Sequence, residues 1–157
     1  MNGPSERAVL VAGSHAVAHA DSREAALVAL LGAIADPFVI GSAAVVVPDG
    51  AGGHEIVASI GLDAAASAGL AQAIRQPGHP IARTFADTVA TYDVTPINPG
   101  GPALRSHIPL VVRRDGRDHV LGVLALAYDR PIDIDQRPIV AAVADLAAVA
   151  IDRLGPR

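Results

Sequence analysis

Apolar and polar positions are most legible between Leu104 and Tyr128, where two β-rich runs, Leu104 to Val112 and His119 to Tyr128, flank Arg113-Arg114-Asp115-Gly116-Arg117-Asp118. Asp-Gly between apolar runs predicts a hairpin, because both turn residues tolerate positive φ. A two-residue turn centred on Asp115 and Gly116 sets Arg114 opposite Arg117. Counting back pairs Val112 with His119, Leu110 with Leu121, Ile108 with Val123 and Ser106 with Ala125. This register predicts two unlike faces. One holds Ile108, Leu110, Val112, Leu121, Val123, Ala125 and Ala127, and belongs under packed helices. The other mixes Leu124 and Leu126 with Arg105, His107, Pro109, Gly122 and Tyr128, the composition of a partly wet surface or a cavity lining. Pro109 cannot donate to the ladder and marks a place where a bulge would shift the pairing.

The pattern then changes to helical spacing. From Asp135 to Leu154 the chain is nearly all apolar: Ile139, Val143, Leu146 and Ala150 form one stripe, and Val140, Ala144, Ala147, Ile151 and Leu154 form its neighbour. Asp135 reads as the cap, Pro138 falls where no intrahelical donor is needed, and Ile134 and Ile139 have the spacing of a hydrophobic staple. A stripe this wide requires two partners: the sheet, and another helix of this chain or of a second subunit. Upstream, residues 5–20 read as a helix, and a second starts at the capping-box spacing Asp21 to Glu24 and stops before Asp36-Pro37. Ser42 to Val47 and Glu55 to Leu62 read as strands joined by a Gly-rich loop. Asp63 to Gln76 and His79 to Ala86 read as helices, Asp87 to Val94 as a strand, and Thr95 to Pro102 as a loop.

At 157 residues this is one domain, 1–157, with an N-terminal helix in 1–20 and a core in 21–154. Without cysteine it has no disulfide, thiolate metal site, cysteine nucleophile or thioether-linked cofactor. Its 12 basic and 16 acidic residues, with no basic cluster longer than Arg113-Arg114, argue against nucleic-acid and membrane partners. The N-terminal apolar run is interrupted by Gly13, Ser14 and His15, unlike a signal peptide or a span, which leads us to expect a cytoplasmic protein.

The order helix, helix, strand, strand, helices, strand, loop, strand, strand, helix resembles a GAF domain. VASIGL at Val57 to Leu62 is similar to the family's second strand, and HPIARTFADTVATYDV at His79 to Val94 to its helix and third strand. The stretch from Leu104 to Leu154 is similar to the fourth and fifth strands and the closing helix; it is shorter than usual between Ser106 and Pro109. The resemblance covers about residues 20 to 154. It implies an α+β fold with an antiparallel sheet of five or six strands, terminal helices on one face, and on the other a ligand-type pocket roofed by Asp63 to Pro102. It also implies a sensor or regulatory role, often as a homodimer through the terminal helices, with a separate effector protein. PAS or Roadblock modules are the weaker alternatives.

Arg105, His107 and Tyr128 share the predicted polar face, and Arg83, Thr84, Tyr92 and Asn98 belong to the segments that would roof it. A guanidinium with hydroxyl and amide groups inside an apolar cavity suits a small anionic or polar ligand bound non-covalently. The plainer reading puts the arginines on a solvated rim and Tyr128 over a sheet edge. That reading goes with a GAF-like domain that has no ligand and serves dimerisation or protein interaction. The six histidines form no metal or haem constellation: His107 and His119 fall on opposite predicted faces, and His15 and His19 lack the glutamate of a zincin pair. Methionine-sulfoxide reduction, which some GAF proteins perform, needs thiols absent here. The residues therefore predict no enzyme, no cofactor and no metal.

Overall fold

The computed structural model describes residues 6–96 and 102–154. Helices α1 (Glu6–His19) and α2 (Arg23–Phe38) precede strands β1 (Ile40–Pro48) and β2 (His54–Ile60). Helices α3 (Ala64–Ala73) and α4 (Pro80–Asp87), then β3 (Thr91–Val94), β4 (Leu104–Arg114), β5 (Arg117–Tyr128) and α5 (Arg137–Leu154), complete the order. The described strands form one antiparallel sheet in the order β2-β1-β5-β4-β3. The α+β class and the antiparallel platform are as expected from the sequence, with five strands.

Helices α1, α2 and α5 make a layer on one face. The wide stripe of α5 finds both of its partners within this chain: Ile139, Val140, Val143, Ala144 and Ala147 are buried, and α5 lies against β4, β5, α1 and α2. On the sheet, Ala43, Val45, Ile108, Leu110, Leu124 and Leu126 belong to this core. A smaller cluster on the reverse face joins Val46 and Val123 to Ile74, at the end of α3, and Ile81 of α4. Because β1 is covered on both sides, its run from Ala43 to Val47 is apolar at every position rather than at alternate ones.

Close packing of α1 depends on Gly13. A Cβ there would lie 2.9 Å from Leu146 Cδ1 and 3.1 Å from Leu30 Cδ2. Both atoms are side-chain ends that can swing aside, so Gly13→Ala is expected to be near neutral, the helix propensity gained offsetting the crowding. Gly13→Leu, by contrast, should lose about 2 kcal/mol in urea unfolding and detach α1, which limited proteolysis would report.

Several local expectations are corrected. The cap of α2 is Ser22, whose hydroxyl accepts from Ala25 N, rather than Asp21. That helix also runs through Asp36 and Pro37 to Phe38, whose burial holds the last turn, and it ends on Val39 at φ 54. Helix α5 starts after a 3-10 turn, Ile134–Gln136, so Asp135 does not cap it, and Ile134 is 74% exposed and staples nothing. Strand β3 is shorter than Asp87 to Val94 because Thr88 ends α4 in the left-handed region.

The largest correction concerns the β4–β5 register. Arg114 faces Arg117 and Val112 faces His119 as expected, but Leu110 pairs with Gly122, Ile108 with Leu124 and Ser106 with Leu126. Leu121 is the extra residue of a bulge between Leu110 and Val111, two places from Pro109. Beyond it every β5 side chain changes face relative to the simple count. Tyr128 therefore lies in the helix-side core with Ile108, Leu110, Leu124 and Leu126, while Ala125 packs with the reverse-face cluster.

Candidate functional site

The first polar cluster joins β3, β5 and the start of α5. Asp93 sits at φ 55, a conformation that aspartate tolerates better than most residues. The Tyr128 hydroxyl donates to Asp93 Oδ1 at 2.7 Å, and Asp93 N donates back to the same phenol oxygen at 3.0 Å. With that one proton committed to the carboxylate, the Ser106 hydroxyl must be the donor in its contact with Tyr128. Ile132 N and Arg137 Nη2 complete the shell around Asp93, at 3.1 and 3.2 Å. Burial opposes ionisation of Asp93, but the hydrogen bonds from Tyr128, Ile132 and Arg137 outweigh it and lower its pKa. Burial and the neighbouring carboxylate push the Tyr128 phenol up to about 12. The Arg137 guanidinium also lies 4.8 Å over the Tyr92 ring, and the Tyr92 hydroxyl donates to Arg137 O at 3.5 Å. Tyr92 and Tyr128 are thus engaged with the α5 side and are not brought to Arg105 and His107.

The second cluster is on the reverse face. His107 pairs with Thr91 and Ala125 in the ladder. It is 5% exposed, and its Nδ1 is buried with no hydrogen-bond partner among the described residues. Burial, with the charges of His79, Arg105 and Arg83, pushes its pKa down to about 4. His79 caps α4 by accepting from Ile81 N on Nδ1, which leaves Nε2 as its donor when neutral. Arg105 Nη1 donates to the carbonyls of Pro102 and Leu104. Thr84 is buried, its hydroxyl donating to Pro80 O within α4. Arg83 is exposed on the same helix. Of the residues singled out in the sequence, then, Arg83, Arg105 and His107 come together electrostatically, Thr84 lies in the same helix as Arg83, and Asn98 lies outside the described residues. His79 was missed; Pro at the first helical position, with a side chain able to cap just before it, was the signal available.

Two open concavities among the described residues lie elsewhere. One of about 580 Å³ runs along α1 at Arg7, Val11 and His15; another of about 490 Å³ is lined by Asp36, Val39, Gly41, Tyr128 and Arg130. On the reverse face, Val46 and Val123 of the sheet pack directly against Ile74 and Ile81 of the α3 and α4 segments.

The neutral state of His107 has a consequence for stability. Its folded pKa is depressed from 6.5, so the unfolded chain takes up the proton first as the pH falls. Stability should be full above pH 6.5 and decline by up to about 3 kcal/mol as the pH falls through 4. His107→Gln should remove most of that slope, as followed by urea midpoints across the window.

No protein-family model matches the sequence, and no curated protein matches it. Among solved structures, the GAF domain of a phosphoenolpyruvate-protein phosphotransferase from Acinetobacter superposes with a TM-score of 0.76 at 12% identity, covering 97% of this chain and 95% of that one. The second GAF domain of DevS from Mycobacterium smegmatis is 26% identical, with a TM-score of 0.63, 82% of this chain and 93% of that chain being covered. The chain folds as a GAF domain. A third GAF-fold neighbour is the free methionine-R-sulfoxide reductase from Neisseria meningitidis, in complex with its substrate. It has a TM-score of 0.73, 14% identity, and coverage of 97% of this chain and 95% of that one. The expectation that this GAF domain is not an enzyme is corrected by that neighbour and by two more reductases of the same kind. The fold itself carries catalysts. What the missing cysteines remove is a thiol of the chain's own, not catalysis as such. No helix among the described residues is long and apolar enough to cross a membrane.

Proposed function

We propose that this GAF domain is a sensor or regulatory module that binds a small molecule non-covalently on the reverse face of the sheet. Arg83, Thr84, Arg105 and His107 contribute to the site, and binding is signalled as a homodimer through the helical layer to a separate effector protein in the cytoplasm. The observation that carries this reading is the buried Nδ1 of His107. A polar atom without a partner in a protein interior is costly, and a bound guest that supplied the missing bond would remove that cost. Native mass spectrometry of the purified protein tests it: an adduct held under native conditions and lost on denaturation is expected. A bare mass, together with no thermal shift from any member of a metabolite set, would sink the proposal.

A second reading, a ligand-free domain kept for dimerisation or protein interaction, is favoured by the outer side of α1. There Val11 is 61% exposed beside the exposed Ala8 and Ala12. Light scattering distinguishes the two. Val11→Glu should turn a dimer into a monomer if this face is the contact, and leave the mass unchanged if it is not.

A further inference from the structure

The charges that reach His107 are all of one sign. His79 and Arg83 act on it electrostatically from the α4 segment, and Arg105 does so from its own strand, two residues away. The strands on either side set Thr91 and Ala125 opposite it, neither of them ionisable. Neither Arg83 nor Arg105 makes an ion pair with a carboxylate among the described residues, whereas Arg113, Arg114 and Arg137 do so elsewhere, and burial favours the neutral form of His79. Two guanidiniums and a protonatable imidazole acting on a buried ring nitrogen with no partner, with no carboxylate paired to them, form an arrangement that an oxyanion would complete. We infer that the ligand of the reverse face presents an anionic oxygen group, a carboxylate or a tetrahedral phosphate-like group, held by His107, Arg83 and His79. This deepens the sensor reading and rests on it.

Proton linkage follows from the same contacts. Neutral His107 can offer only one N–H, and its second nitrogen becomes a donor only on protonation. Anion binding therefore draws a proton from solvent onto His107, and affinity falls as the pH rises. Arg105 Nη1 is tied to the Pro102 and Leu104 carbonyls, and its charge adds to the field that attracts the anion.

The test follows the imidazole resonances of the full chain by two-dimensional nitrogen–proton NMR. Titrations run in chloride, in sulfate of equal ionic strength, and separately in formate. Sulfate and formate stand in for a phosphate-like group and a carboxylate. The His107 midpoint is expected to rise by at least about one unit in one of them, equivalent to roughly tenfold tighter binding to the protonated state. Arg83→Ala, at an exposed position that leaves the fold intact, should abolish most of the rise, while an effect of sulfate alone or formate alone names the group. A midpoint unmoved by either anion overturns the inference. A retained adduct that proves to be uncharged overturns it too, yet leaves the sensor reading standing; no adduct, no metabolite thermal shift and no anion effect together remove both.

Discussion

Asp93→Ala is expected to lower the stability of the domain by about 3 kcal/mol, read as a fall in the urea midpoint at constant slope. The carboxylate receives the Tyr128 hydroxyl, Ile132 N and Arg137 Nη2, and its own amide bonds the phenol. Removing it leaves three donors unpaired at the junction of β3, β5 and the approach to α5. The effect exceeds that of an ordinary surface ion pair because Tyr128 is fully buried and cannot turn to water. Asp93→Asn keeps an acceptor and tolerates positive φ, so it should cost about 1 kcal/mol. The sign of the pH dependence separates this cluster from His107. The folded pKa of Asp93 is lowered from 3.8, so its contribution is complete above that value and is lost as the pH falls below it. The His107 contribution is already declining from pH 6.5. A wild-type curve that falls in two stages, with Asp93→Asn removing only the more acidic one, is the expected record.

Gly61→Ala is expected to be at least as damaging, about 3 kcal/mol or more, lowering Tm by roughly 10 °C. Gly61 follows β2 at φ +72, and a Cβ there would lie 2.2 Å from Gly41 O and 3.1 Å from Ser42 Cα. Both are backbone atoms of the neighbouring strand, so relief requires shifting β1, whose Ala43 pairs with Ile60. Gly50→Ala is the control. Its φ is +80 but nothing lies within 4 Å, so only the conformational term of about 1 kcal/mol is lost. If the two variants unfold at the same temperature, the close approach of the two backbones is not what selects glycine at position 61.

The candidate site was only partly legible. Arg83, Arg105 and His107 were singled out as polar groups among apolar neighbours, and the charges of both arginines help to lower the pKa of His107. Tyr128 was placed with them by the strand register and Tyr92 among the segments roofing them, and both belong instead with the Asp93 cluster. For Tyr128 the difference traces to Leu121. A strict alternation along β5 puts Tyr128 beside Arg105, and one inserted residue moves it through the sheet.

The sequence by itself determined the order of elements, the Asp-Gly turn with its first pairs, the presence of α3 and α4, and the need of α5 for two partners. Each of these rests on interactions within a few residues, or on an apolar stripe whose width is visible without knowing what covers it. Only the tertiary structure decided where the β5 ladder slips, which face carries Tyr128, that Pro37 stays inside α2, and that Asp93 joins two ends of the chain. These outcomes depend on the burial gained against segments distant in sequence, where one residue of register exchanges the two sides of a strand and no local preference opposes it.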